Sequence, residues 1–142
     1  MTPTSHGLIL FERLILAAGT LMMTMIALRT LTDPIGLTLP LGIALNTPTA
    51  ITVVRVGFGG FPLGFAVALL NCLISTKRLL AGVSLVAVLM AAILVARIQG
   101  FIVDGVTAYN AARLPPEVVM LTLSVVAIAL ERRRRREGLV VA

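Results

Sequence analysis

The sequence predicts an all-α integral membrane protein, a four-helix antiparallel bundle. Three observations carry that expectation. Four apolar stretches approach the roughly 20 residues a helix needs to cross a hydrocarbon core of about 30 Å. The chain is 58% hydrophobic and 13% charged, whereas a soluble domain has about 25% charged residues. Basic residues sit at the ends of the apolar stretches, Lys77 and Arg78 after the second and arginines at 132–136 after the fourth.

The spans fall at about 7–30, 49–75, 79–101 and 115–130, within a single domain. Unpaired backbone groups are too costly in lipid, so each should be a helix and not an open strand. The first is expected to be a retained helix and not a secretion signal. Its charged start is weak, because Glu12 and Arg13 cancel, and Ala17, Ala18 and Gly19 lie inside the apolar run.

The connection at 31–48 contains Pro34, Gly36, Pro40, Gly42 and Pro48 around an apolar middle. It is too short and broken to span, and reads as a greasy loop or shallow re-entrant segment. A second connection is expected at 102–114, and a basic tail at 131–142. Four spans place the Lys77 turn and the arginine run on the side of the N-terminus. The positive-inside rule then puts both termini in the cytoplasm of a bacterial inner (plasma) membrane. Arginine in place of lysine at nearly every basic position fits a GC-rich bacterial genome.

Composition excludes several function classes. The net charge of +6 resides in the terminal arginine run, and no basic face with interleaved aromatics exists for nucleic acid. Cys72 and His6 are the only residues of their types, so no disulfide, multi-thiolate metal site or paired-histidine haem site can form within one chain. The serines at 5, 75, 84 and 124 have no histidine partner in the membrane. No catalytic grouping, metal site or cofactor is therefore expected, and the chain should not be an enzyme.

Two constellations remain. Gly57, Gly60 and Gly64 recur at helical spacing in the second span and share one face. Such a small-residue stripe lets a neighbouring helix approach closely in lipid, so the bundle is expected to pack tightly around this span, with a kink at Pro62. A phosphate-cradling reading fails, since no strand precedes the glycines and no Lys-Ser/Thr follows.

The second constellation is charged. Arg55 lies about 9 Å into the second span at about 1.5 Å per residue. Arg29 and Arg97 stand near the outer ends of the first and third spans, Glu117 opens the fourth, and Asp33 and Asp104 adjoin. An arginine at the bilayer centre costs about 2.5–3.5 kcal/mol on insertion scales, so Arg55 and Arg97 should be neutralised by Glu117, Asp104 or both. Arg55, Arg97, Asp104 and Glu117 form the candidate binding layer. Glu12 reads instead as an interfacial partner of Arg13, and the arginine run as a holder of anionic lipid.

From about residue 47 onward, roughly two thirds of the chain, the pattern resembles a family of small bacterial four-helix membrane proteins known as domain of unknown function 4345. The resemblance rests on Arg55, Gly59, Gly60, Leu63 and Gly64 in the second helix, with Phe61 and Pro62 interrupting the stretch. It rests also on Arg97, Gly100, Asp104 and Gly105 at the end of the third, and on Glu117 early in the last. The resemblance implies the four-span architecture and assigns no activity.

The leading expectation is a non-enzymatic accessory or assembly component, or a homo-oligomer. Its partners would be membrane lipid and further subunits, with no nucleic acid. The alternative is a small-molecule or lipid-binding protein, or a transporter, using the charged outer layer.

Overall fold

The computed structural model describes residues 3–140, and the side chains of 6–136. The described chain is all-α, with no strand among the described residues. Its helices are α1 (Pro3–Thr32), α2 (Pro34–Thr38), α3 (Pro48–Val54), α4 (Phe61–Leu73), α5 (Leu79–Val103) and α6 (Ala108–Val140). A π-helical turn, Arg55–Gly60, joins α3 to α4. Four segments are long and apolar enough to cross a membrane: His6–Thr32, Pro48–Leu73, Thr76–Val103 and Ala108–Arg136. Leu14, Leu21, Val67, Val88, Val95 and Val126 stand exposed on them. Apolar surface on this scale suits lipid as the solvent.

The chain packs as two compact units, one formed by residues up to Leu16 with those from Cys72 onward, the other by Ala17–Asn71. In the first unit α5 and α6 pack extensively as an antiparallel pair. Leu79, Val83, Val86, Met90 and Leu94 form the buried stripe of α5, and Ser124 and Ala127 face inward on α6. Both stripes advance by three and four residues, the period that keeps one helix face turned to a partner. Ser124 and Ala127 are small and let the helices close up, and the Ser124 hydroxyl donates to the Met120 carbonyl at 2.8 Å. The tightest point is Gly82. A Cβ there would lie 2.6 Å from Cys72 Cβ and 2.9 Å from a Leu16 methyl, so α1, α4 and α5 converge where only glycine fits.

The second unit holds the rest of α1, the short α2, and most of the second span. Thr47 caps α3 by accepting from the Ala50 N–H at 3.1 Å, with Pro48 at the first helical position. Asp33 caps α2, accepting from Gly36 N–H at 2.8 Å. The π-helical turn has a local cause. Pro62 has no N–H to give the preceding turn, and the run of glycines leaves the backbone free to rewind. The Phe61 N–H accordingly reaches back five residues to the Val56 carbonyl.

Two expectations need correction. Burial is heavier on α1 and α5 than on the second span, so the tight packing centre is not span two. The connection expected at 102–114 shrinks to 104–107, because α6 begins at Ala108 and runs straight through Pro115 and Pro116. Thr107 starts it, accepting from the Asn110 N–H through its hydroxyl and from the Ala111 N–H through its carbonyl. The basic segment expected after the fourth span continues α6 as far as Val140. The connection at 31–48 is part helical, with α2 and a 3-10 turn, Leu39–Leu41, ending at Gly42, whose φ of 77° favours glycine.

Candidate charged sites at the two ends of the helix pair

At the loop end of α5 and α6, Arg97 and Glu117 meet through two bonds. Arg97 Nε donates to Glu117 Oε2 at 2.6 Å, and a terminal guanidinium nitrogen to Oε1. This fork-on-fork geometry is the strongest arrangement available to an arginine and a carboxylate. The two side chains keep 18% and 17% exposure, so the pair is largely withdrawn from solvent. The other terminal nitrogen reaches Asn110 Oδ1 in a long contact of 3.4 Å. One turn away, the Arg113 guanidinium stacks 5.1 Å from the centre of the Tyr109 ring and donates to its hydroxyl at 3.2 Å.

Arg97 therefore engages α6 on both sides of Pro115 and Pro116. The two prolines remove two N–H donors from the helix ladder. The Thr107 cap, the Tyr109–Arg113 pair and the Arg97 clamp supply other constraints on the same turns. That is the physical reason the helix survives the proline pair.

The remaining members of the expected layer are Asp104 and Arg55. Asp104 is exposed at the C-terminal end of α5, where its N–H donates to the Gly100 carbonyl at 2.8 Å. The carboxylate that clamps Arg97 is that of Glu117, not that of Asp104. Arg55 belongs to the other unit and is exposed on the π-helical turn. The glycine stripe is also re-set by that turn. No atom lies within 4 Å of a Cβ built at Gly57 or Gly64, and Gly60 meets only the Arg55 carbonyl at 4.0 Å. Gly59 is the buried one, where a Cβ would stand 2.8 Å from a Leu31 methyl. Extra residues per turn in π geometry rotate Gly59 inward in place of its neighbours.

At the opposite end of the pair lies a cluster that sequence reading missed. Glu12 is only 1% exposed and Glu131 only 2%. Glu131 Oε1 accepts from Arg134 at 2.7 Å and from Arg135 at 2.8 Å. Glu12 lies within electrostatic reach of Glu131, Arg134 and Arg135. Arg13, its expected partner, is exposed and donates toward the Thr76 hydroxyl at 3.4 Å. Successive helix residues point about 100° apart, so neighbours in sequence do not face each other. A signal for the cluster was present: from Glu117, steps of three and four reach Met120, Ser124, Ala127 and Glu131 on one face. Glu137 lies outside the described side chains.

The model of a family described as a domain of unknown function (DUF4345) matches residues 11–128. The chain belongs to that family. The DUF4345 match covers the second and third spans whole and most of the first and fourth, and contains Arg55, Gly59, Gly60, Arg97, Asp104, Glu117 and Glu12, but ends before Glu131. No curated protein and no solved structure matches the chain.

Proposed function

We propose that this DUF4345 protein is a non-enzymatic component of a bacterial inner membrane, with both termini cytoplasmic, acting as an accessory or assembly subunit or as a homo-oligomer. The observation that carries this reading is the open glycine face. A Cβ added at Gly57 or Gly64 would meet no packed neighbour within 4 Å, and Val53, Val56, Phe58 and Phe61 around them are exposed. In lipid, close approach at small residues is a main source of helix association. A face of that kind left open within its own unit suits a helix from another chain.

The charged loop end supports the same preference over ligand binding or transport. Glu117 spends both oxygens on Arg97, so that pair has little charge left over for a substrate. The exposed Arg55 suits lipid headgroups, to which a long basic side chain can snorkel. Lipid is thus the expected small partner, and neither nucleic acid nor a cofactor is called for.

Gentle purification of the tagged protein from its own membrane tests this. Reproducible co-purifying subunits, or a stable homo-oligomer in mild detergent, are the expected outcomes. A protein that remains monomeric and alone across several mild detergents would refute the proposal.

A further inference from the structure

The cluster at the terminal end poses a chemical problem that its own residues do not solve. Glu131 Oε1 takes two arginine bonds, but its Oε2 is buried without a hydrogen-bond partner, and so is Glu12 Oε1. Leaving a buried polar atom unpaired costs the full desolvation of that group, and more when it is charged. Two carboxylates in one buried cluster also repel each other when both are ionised. Glu131, Arg134 and Arg135 act electrostatically on Glu12, and both of those arginines bond to Glu131. On the other packed element, the start of α5 buries only Leu79, Gly82, Val83 and Val86. Lys77 and Arg78 of the preceding turn are exposed.

Position sharpens the problem. Glu117 and Glu131 are separated by about 21 Å along α6 at about 1.5 Å per residue. A hydrocarbon core of about 30 Å cannot have both in its headgroup layers without thinning, and tilt only brings them closer along the membrane normal. In a bilayer of that thickness at least one of the two charged ends therefore lies within the apolar layer.

We propose that Glu12 and Glu131 form a proton-binding site, in which Glu12 carries one proton while Arg134 and Arg135 hold Glu131 ionised. A proton is the favoured ligand because it needs no room beside side chains that are almost wholly enclosed. It converts an acceptor without a donor into a donor, and it removes the repulsion between two ionised carboxylates. The site then exchanges its proton on the side of the membrane that carries the arginine run. This inference stands apart from the proposed subunit role and would survive its failure.

Infrared pH-difference spectroscopy of the full chain in lipid nanodiscs tests the site. Folded wild-type protein should show the carbonyl stretch of one protonated carboxyl at neutral pH, which fades as the solution is made alkaline. Glu12→Gln, which keeps the shape of the protonated acid, should fold, melt like the wild type and lack that band. Glu117→Gln should keep it. Absence of the band in folded wild-type protein would overturn the proposal, and a melting temperature that then rose with added sodium or potassium would name a bound cation instead. A band that survives in Glu12→Gln would equally overturn it. Should the variant fail to fold, the wild-type spectrum with carbon-13-labelled glutamate decides alone, since a fully ionised glutamate set is incompatible with the site.

Discussion

Arg97 holds Glu117 with two nitrogens and reaches Asn110 with the third, so a single side chain of α5 bridges α6 across Pro115 and Pro116. The pair is a structural clamp first. Its bidentate form and partial burial make it worth more than an exposed ion pair, which contributes about 0–1 kcal/mol.

Glu117→Gln should therefore destabilise the protein by about 1.5–3 kcal/mol, the range for hydrogen bonds to charged groups. A thermal melt followed by circular dichroism in one detergent would measure it. Exchanging the two residues, Arg97→Glu with Glu117→Arg, should recover part of the loss, whereas either reversal alone should not fold stably. No change on Glu117→Gln would mean that the clamp contributes nothing.

The proline pair gives a second test of the same clamp. Replacing Pro115 and Pro116 by Ala restores two backbone donors in a helix that is already continuous. The melting temperature should rise or hold. A clear fall would show that the prolines set a helix shape that Arg97 requires.

The glycines divide sharply in what they tolerate. Gly82→Ala places a methyl 2.6 Å from Cys72 Cβ, and overpacking of that kind costs about 1–3 kcal/mol. Gly59→Ala should also destabilise, less severely, because the nearest atoms belong to the flexible end of Leu31. Gly57→Leu and Gly64→Leu should leave the melting temperature of the isolated chain unchanged and weaken its association with other chains.

Orientation can be read with a membrane-impermeant thiol reagent on intact spheroplasts. In a Cys72→Ser background, Asp104→Cys should label and Lys77→Cys should label only after lysis. The reverse pattern would invert the proposed topology.

Much of this was legible in the sequence, and the failures have physical causes. Span number and approximate position follow from length and apolarity alone, which lipid enforces on any chain. Arg97 and Glu117 were legible because charges at the ends of apolar helices have few ways to be satisfied. The Glu12–Glu131 cluster was hidden because Glu12 adjoins Arg13 and Glu131 adjoins the arginine run. Adjacency suggested cancellation, whereas helix geometry turns neighbours apart and brings residues three and four apart together. The choice among glycines failed at the π-helical turn, since a face counted at the α-helical period loses register across it. Pro115 and Pro116 looked like the start of a helix because proline is favoured there. Their place inside α6 depends on tertiary contacts from Arg97 that no local pattern reveals.

Native mass spectrometry of the gently purified protein, run beside Gly57→Leu and Gly64→Leu, tests the central claim most directly. The account predicts a wild-type particle heavier than one chain of 15.0 kDa, carrying further subunits or copies that the glycine variants lose. A wild-type particle with the mass of a single chain, with or without a bound small molecule, would contradict it.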